Sequence, residues 1–291
     1  MLADGRKVIS IAPAYNEEAR IAKALIGMPA VVDCAVVVDD GSTDQTAEVA
    51  RAHGAHVISI PQHTNLDNAL RTGFAYALEQ NYDIIVVMAG NGKDTPAEIP
   101  RLLKPLEEGR ADYVQGSRYL PGGNAGNMPR HRAFATRLYP WLLRLYPGFP
   151  ATDGTNGFRA YKASILRDPR IDIHQRWLCR TSVEFYLSIK VMQLGYRVVE
   201  VPVSKIYPQT TDYKNYTKVK PFSDWWNILK PWAYFYCRVR DKSRCVFLRR
   251  RCIMQSMVKR QMLLWRLLVI SAEPSARCVW QKYYNSPSVR K

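Results

Sequence analysis

The stretch CAVVVDDGSTDQTAEVARAHGAHVISI, residues 34–60, combines two short apolar runs with a helical segment between them. Residues 34–39 and 56–60 are rich in valine and isoleucine, which favour strands, and residues 44–54 carry apolar side chains at helical spacing. A strand, a helix and a second strand in this order form a right-handed unit in which the two strands are parallel. The stretch therefore predicts one βαβ unit of an α/β protein.

The same alternation of strand-like and helical segments continues on both sides of this unit. Further strand-like runs occupy residues 7–12, 83–88 and 113–117, and further helical segments occupy residues 17–28, 67–80 and 96–109. We therefore expect an α/β fold with a doubly wound, mainly parallel, Rossmann-like sheet that is buried on both faces. In such sheets the ligand binds beyond the carboxyl ends of the strands.

Three predicted loops leave the sheet at this edge, and all of them are rich in polar side chains. They comprise residues 13–18, 39–44 and 89–94. Asp39 and Asp40 can accept hydrogen bonds from a nucleotide base or a ribose, and Gly41 would let a ligand approach the backbone. The alternative for these aspartates is an ordinary Asx-type turn before the next helix.

The third loop is bounded by a predicted helix start. Thr95 has the type and position of an N-cap, Pro96 suits the first helical position, and Glu98 is spaced to reach back to the cap. This fixes residues 90–94 as the connection between a strand and a helix at the ligand-binding edge.

The positive charge of the chain is concentrated near its C-terminus. The net charge is +17, and residues 237–291 hold 14 Lys and Arg against Asp241 and Glu273, a net of +12. A nucleic-acid-binding protein would need basic groups across its folded domain, so we expect no nucleic-acid partner. We predict one domain over residues 1–236 and a basic extension that is either an amphipathic helix on a membrane surface or disordered.

The spacing of the cysteines and the sequence near the N-terminus indicate the cellular compartment of the protein. The six cysteines include no close C-x-x-C pair, which favours reduced thiols in a cytosolic protein. The first strand-like run begins at residue 7, so we expect no signal peptide, and no uncharged apolar run approaches the length of a membrane span. We therefore expect a cytoplasmic protein, either soluble or peripheral at the cytoplasmic face of a membrane.

Five motifs follow one another in an order that resembles glycosyltransferase family two. They are PAYNEE at residues 13–18, VVVDDGSTDQT at 36–46, GSRYLPGG at 116–123, TDGTNGFRAYK at 152–162 and LGYRVVEVPV at 194–203. The sequence is most similar to the dolichyl-phosphate and polyprenyl-phosphate sugar transferases of that family. The resemblance implies the GT-A fold and inverting transfer of a sugar from a UDP- or GDP-sugar to a polyprenyl phosphate or a growing glycan, in polysaccharide or glycolipid biosynthesis.

The resemblance also implies which residues bind the nucleotide-sugar. Pro13, Tyr15 and Glu17 would line the base pocket, and Asp39 and Asp40 would hold the base and the ribose. Lys218 is similar in position to a lysine that closes over the phosphates.

The chain departs from the family at the end of the strand over residues 83–88. Relatives usually carry an Asp-x-Asp motif there, whose carboxylates bind a divalent metal on the diphosphate, whereas this chain has Ala89, Gly90 and Asn91. We expect a weaker Mg²⁺ or Mn²⁺ site through Asn91 and Asp94.

Two alternatives to that metal site stay open. Lys93, with Arg118 and Arg159, would neutralise the diphosphate directly. Otherwise the protein would be a catalytically silent nucleotide-sugar binder of the same fold.

Two residues are candidates for the catalytic step. Asp153 would act as a general base or orient the acceptor, and Arg159 would contact a phosphate; the ordinary readings are a turn with Gly154 and a strand-surface residue. A hydroxyl acceptor needs a general base, but a lipid phosphate is already an anion and does not.

Glu184, on a predicted helix, would orient an active-site group or face water. A lipid acceptor would be reached from the membrane surface or through a partner membrane protein.

Overall fold

The computed structural model of the chain describes residues 2–128, 130–144, 151–179, 181–207, 228–231 and 233–234. Within them the strands are β1 (Val8–Ala14), β2 (Cys34–Asp39), β3 (His56–Ser59), β4 (Ile84–Val87), β5 (Tyr113–Ser117), β6 (Arg159–Lys162) and β7 (Val198–Pro202). The α-helices are α1 (Glu18–Leu25), α2 (Thr46–Ala52), α3 (Leu66–Glu79), α4 (Ile99–Glu107), α5 (Arg130–Leu143) and α6 (Ser182–Gln193).

The described strands form one sheet in the order β3-β2-β1-β4-β6-β5-β7. Strands β3, β2, β1 and β4 are parallel to one another, β7 is parallel to β5, and β6 runs antiparallel to β4 and β5. The expected α/β fold with a mainly parallel sheet is confirmed. Strand β6 was not among the predicted strands.

The order of the strands reverses between β1 and β4. From β1 the chain moves outward to β2 and β3, and it then returns to place β4 on the other side of β1. In open α/β sheets, ligands bind at such a reversal, in a crevice outside the carboxyl ends of the strands. The loops after β1 and β4 border this crevice.

Apolar side chains of alternating strand residues divide the core into two layers. In β1, Ile9 and Ile11 join one buried cluster, which includes side chains of α3 and α6. Val8 and Ala12 join the other cluster, which includes side chains of α1 and α4. The period of two in a strand places neighbouring residues on opposite faces, so helices on both sides make the sheet a rigid base for the loops at its edge.

The segment before α4 agrees only partly with the predicted helix start. Pro96 begins a 3₁₀ turn that leads into α4, as expected, but the Thr95 side chain makes no capping hydrogen bond. The Glu98 carboxylate instead accepts hydrogen bonds from the Ser204 backbone N–H at 2.7 Å and hydroxyl at 3.0 Å. The prediction that Thr95 and Glu98 form a reciprocal cap is therefore wrong; Glu98 ties this turn to the segment that follows β7.

None of the helices in the described part of the chain is long and apolar enough to cross a membrane. The predicted boundary at residue 236 and the basic extension over residues 237–291 lie outside the described residues.

Candidate functional site

The loop over residues 89–94 packs tightly against the end of β1. The Gly90 N–H donates to the Pro13 carbonyl oxygen at 3.2 Å, and a Cβ on Gly90 would lie only 2.7 Å from that oxygen. Gly92 has a φ of +65°, which an L side chain rarely adopts. The small residues of this loop are therefore required by its path along the crevice.

The loops after β1 and β2 are tied to each other by hydrogen bonds. The Asn16 N–H donates to Ser42 Oγ at 2.9 Å, and Asn16 Oδ1 accepts from the Thr43 N–H at 2.9 Å. The Glu17 N–H donates to Thr46 Oγ1 at 2.8 Å. These bonds join both loops into one edge of the site.

The two aspartates at the end of β2 have different partners. Asp39 Oδ1 accepts from the Ser42 N–H at 3.1 Å, which is the Asx-type turn left open by the sequence. Asp40 Oδ1 accepts from the Thr64 N–H at 3.0 Å and hydroxyl at 2.6 Å. Both carboxylates are buried at this edge, and their contacts with a base or a ribose stay a prediction.

A pair of aromatic rings lies beside Asp40. The Tyr15 and His63 rings stack with centroids 3.7 Å apart and an interplanar angle of 15°. His63 Nδ1 is 2.9 Å from Asp40 Oδ2, and about half of the His63 side chain is exposed. Tyr15, which the resemblance places in a base pocket, is thus held in a flat aromatic pair at the expected edge of the sheet.

Asp94 is committed to an ion pair inside the protein. Its Oδ1 lies 2.6 Å from Lys205 Nζ, and its Oδ2 accepts from the Ala89 N–H at 2.8 Å. Lys205 Nζ also donates to Asn156 Oδ1 at 3.1 Å. Asp94 therefore fastens the loop after β4 to the segment after β7.

These contacts bear on the expected Mg²⁺ or Mn²⁺ site. Asn91 Oδ1 accepts a bond from the Lys93 N–H at 3.3 Å, and Asp94 is the loop's one carboxylate. Within the described ranges, no group of three or more His, Cys, Asp or Glu residues is arranged to hold a metal ion. A hard divalent cation needs several oxygen ligands, and an ammonium group beside its carboxylate repels it. Asn91 and Asp94 therefore do not fit such a cation in this structure.

Basic side chains collect where a metal ion was expected. Lys93 is buried, and its Nζ lies 5.2 Å from the centroid of the Tyr207 ring. The Arg132 guanidinium carbon lies 5.6 Å from the same centroid. The pKa of Lys93 is lowered to about 7, chiefly by burial and also by the positive charges of Arg132 and Lys205, against the opposing effects of Glu17 and Asp94.

Arg118 and Asp153 form a buried salt bridge. Arg118 Nε lies 2.6 Å from Asp153 Oδ2 and its Nη2 lies 2.8 Å from Oδ1, so the pair is bidentate. Arg118 Nη1 donates to the Tyr207 hydroxyl at 3.3 Å. Both oxygens of Asp153 are therefore engaged, and a role for Asp153 as a base would require this pair to open.

Arg159, at the start of β6, is buried among carbonyl groups. Its Nε donates to the Asn156 oxygen at 2.8 Å, and its Nη1 donates to the Tyr113 hydroxyl at 3.0 Å and to the Glu184 backbone oxygen at 2.8 Å. These bonds hold β6 against β5 and α6. The phosphate contact predicted for Arg159 stays a prediction, and Arg159 is an interior residue rather than one on the strand surface.

Glu184 faces the interior rather than water. Its Oε1 lies 3.9 Å from Arg159 Nε and is buried without a hydrogen-bond partner among the described residues. Burial raises the pKa of Glu184, against the opposing effect of Arg159. Lys218, the lysine expected over the phosphates, lies outside the described residues.

Four residues of this site were absent from the predicted set: His63, Arg132, Lys205 and Tyr207. Lys205 and Tyr207 follow the carboxyl end of β7, so the rule that selected the other loops would have selected them too. Arg132 lies on α5, a helix that was not predicted. Its approach to Tyr207 depends on packing between segments far apart in sequence.

Comparisons with known proteins identify relatives of this chain. The model of the family described as glycosyl transferase family 2 matches residues 10–168. The undecaprenyl-phosphate mannosyltransferase of Micrococcus luteus is 35% identical over 68% of this chain and 83% of its own length. The polyprenol monophosphomannose synthase of Mycolicibacterium smegmatis is 31% identical over 68% of this chain and 77% of its own.

A solved structure shows the same fold. Glucosyl-3-phosphoglycerate synthase from Mycobacterium tuberculosis, in complex with Mn²⁺, uridine diphosphate and phosphoglyceric acid, superimposes with a TM-score of 0.59. The match covers 79% of each chain at 21% sequence identity. At this sequence identity the match shows that the two proteins share a fold. The ligands of that enzyme are not assigned to this chain.

Proposed function

Because the chain belongs to glycosyl transferase family 2, and is thus a glycosyltransferase with the GT-A fold, we propose that it transfers a sugar with inversion from a UDP- or GDP-sugar to a polyprenyl phosphate. The two relatives described above are named for polyprenyl-phosphate substrates or products. Each is at least 30% identical over more than two thirds of both chains. The acceptor class is inferred from these relatives.

One observation carries the proposal for the donor: the crevice between β1 and β4 combines an aromatic pair, carboxylates and basic groups. The Tyr15 and His63 rings offer a surface on which a base can stack. Asp39 and Asp40 end the neighbouring strand and suit the hydroxyl groups of a ribose. Lys93 follows β4, which lies on the other side of β1 from β2, and is a candidate to contact the diphosphate.

The chemistry that we propose is a single displacement at the anomeric carbon of the sugar. An oxygen of the acceptor phosphate forms the new bond to that carbon while the bond from the carbon to the β-phosphate oxygen breaks. The nucleoside diphosphate leaves with the electron pair, and no proton needs to move. Basic groups beside the leaving diphosphate stabilise the negative charge that it gains.

The ion pair of Asp153 favours a phosphate acceptor over a hydroxyl acceptor. A growing glycan would need a general base, and the predicted base, Asp153, is held at both oxygens by Arg118. A phosphate oxygen is already an anion at neutral pH. The described geometry thus supports the lipid-phosphate acceptor, and the named relatives do not favour a catalytically silent protein.

We expect the purified full chain to form a glycosyl polyprenyl phosphate and to release one nucleoside diphosphate for each sugar transferred. The measurement is a panel of UDP- and GDP-sugars, mannose donors included, assayed with undecaprenyl phosphate by mass spectrometry of the lipid product. Binding of a donor without turnover on any polyprenyl phosphate would instead support the silent binding protein. Turnover on a glycan alone would contradict the proposed acceptor.

The acceptor would be met at a membrane surface, and we propose that α5 provides the contact. Phe134, Leu138 and Trp141 recur at helical spacing on α5 and are 68%, 53% and 67% exposed. Arg137 lies on the same helix and Arg144 directly follows it, and the Arg144 guanidinium carbon is 5.8 Å from the centroid of the Trp141 ring. An apolar stripe flanked by arginines suits the boundary between lipid headgroups and acyl chains. This supports a peripheral position at a membrane surface.

Replacing Phe134, Leu138 and Trp141 together with serine should lower binding to phospholipid vesicles by about tenfold or more, because each large apolar side chain contributes roughly 1.5–3 kcal/mol when buried. Co-sedimentation at high salt is the measurement, since salt screens any contribution of basic residues but not apolar insertion. Ile26→Ser is the control, because Ile26 is a similarly exposed apolar residue that follows α1. Equal binding of the triple variant and the control would contradict a role for α5.

A further inference from the structure

We propose that Lys93, Arg132 and Lys205 hold the diphosphate of the donor in place of a divalent metal ion, so that this enzyme binds its donor and transfers the sugar without metal. The inference rests on the proposed function, because it assigns the groups that contact the donor's diphosphate. The three residues come from the loop after β4, from α5 and from the segment after β7.

The first argument is that the loop after β4 has lost its capacity for a metal ion. Ala89 has no donor atom, and Asn91 offers a neutral oxygen that accepts a bond from the Lys93 N–H. Each oxygen of Asp94 already has a partner, one the Ala89 N–H and the other Lys205. A cation bound to Asp94 would lie beside the buried Lys205 ammonium group and be repelled by it.

The second argument is the closeness of the positive charges. Arg132 and Lys205 both lower the pKa of Lys93, so the three cations lie near enough to repel one another, while Glu17 and Asp94 oppose that shift. A nucleotide-sugar carries one negative charge on each of its two phosphates, and an anion beside these groups would reduce the repulsion.

The third argument is the cost of gathering basic groups inside a protein. Lys93 and Lys205 are buried, and Lys93 and Arg132 both lie over the Tyr207 ring. Grouped cations lose solvation and repel one another, and a multivalent anion relieves both costs. The lysines offer point charges and Arg132 a planar fork of donors, which together suit the oxygens of a diphosphate.

The fourth argument is that the cluster is fixed before any ligand arrives. The Ile206 N–H donates to the Lys93 carbonyl oxygen at 2.9 Å, and Asp94 and Lys205 face each other across an antiparallel bridge. At the other end of the loop, Gly90 packs closely against β1. The protein itself therefore positions the charges that a metal ion would otherwise organise, at the point where the strand order reverses.

The first test is nucleotide binding by isothermal titration in the presence of EDTA. We expect UDP or GDP to bind the metal-free wild type, and Mg²⁺ or Mn²⁺ to leave the affinity unchanged. Lys93→Met should weaken binding of the nucleoside diphosphate by about tenfold or more, because a charge-assisted contact is lost, with little effect on the unphosphorylated nucleoside. Lys93→Arg, which keeps the charge, should retain most of the affinity.

Lys104→Met is the matched control, because Lys104 is an exposed lysine on α4 and away from the crevice. Circular dichroism would establish that each variant is folded. Wild-type binding that is lost in EDTA and restored by Mn²⁺ would overturn the inference, and so would a folded Lys93→Met variant that binds the diphosphate as tightly as the wild type.

A second test replaces the proposed lysine contact to the diphosphate with carboxylates that can bind a metal ion. In the variant Ala89→Asp, Asn91→Asp and Lys93→Ala, carboxylates replace the lysine, so diphosphate binding should become dependent on Mn²⁺. Binding that stays independent of Mn²⁺ in this variant would contradict the assignment of Lys93. Both tests measure donor binding without an acceptor, so a wrong acceptor class would leave their results unchanged, and a metal requirement would leave the proposed transfer to polyprenyl phosphate intact.

Discussion

Replacing Asp153 with alanine is expected to lower the free energy of unfolding by about 3–5 kcal/mol. The Arg118 and Asp153 side chains are 1% and 0% exposed, so the substitution would leave a buried guanidinium group without its carboxylate. Denaturant unfolding followed by circular dichroism is the measurement. The effect is large because a charge that cannot reach water loses its partner.

The control for this prediction is an ion pair on the surface. Arg51 and Glu48 lie 3.8 Å apart and are 53% and 66% exposed, so Glu48→Ala should change the free energy of unfolding by less than about 0.5 kcal/mol. If Asp153→Ala cost as little as Glu48→Ala, the salt bridge would not be the buried pair that we describe.

A double variant separates the structural role of Asp153 from a role as a base. Replacing Arg118 with methionine and Asp153 with leucine removes both charges, and apolar replacement of a buried pair is often neutral or stabilising by about 1–4 kcal/mol. A folded double variant that still transfers sugar would exclude Asp153 as an essential base. Loss of turnover with intact donor binding would support the catalytic role predicted from the sequence.

Replacing Gly41 with alanine is expected to raise the dissociation constant of the donor by about tenfold or more, equivalent to at least ~1.4 kcal/mol. A Cβ at this position would lie 2.6 Å from the Gln62 carbonyl carbon and closer still to the His63 backbone nitrogen. The clash would displace the backbone that carries His63, which stacks on Tyr15 and contacts Asp40. Titration with UDP- and GDP-sugars measures the loss.

Gly54→Ala is a closely matched control. Gly41 and Gly54 have φ angles of +70° and +78°, so both substitutions cost roughly 1–2 kcal/mol of backbone strain. A Cβ on Gly54 meets nothing within 4 Å, so its effect should be confined to stability. Equal donor affinity in the two variants would mean that the loop carrying His63 takes no part in binding.

The strands of the sheet were predictable because their signal is local. Short runs with strand-forming residues defined β2 and β5 over all of their residues, and β1, β3 and β4 to within two residues at either end. Strand β6 has the sequence RAYK, and its buried arginine is satisfied by carbonyl groups from other segments. A residue that looks polar in sequence thus occupies an interior strand position, which periodicity does not reveal.

The polar edge of the site was predictable, but the pairing within it was not. The rule that ligands bind at the carboxyl ends of parallel strands selected Tyr15, Asp40 and the loop over residues 89–94. The partner of Asp94 is Lys205, which is 111 residues away along the chain. Such a pair is fixed by how distant segments pack, so the sequence predicted Asp94 only as a metal ligand and gave no sign of its ion pair.

Tyr207 connects the site to α5, the helix that we propose to contact the membrane. Its ring faces Lys93 from the loop after β4 and Arg132 from α5, and its hydroxyl accepts a bond from Arg118. If α5 rests on lipid, any shift of that helix with the thickness or curvature of the leaflet changes the spacing of these cations. The catalytic rate would then be sensitive to the physical state of the membrane without any hinge or lid.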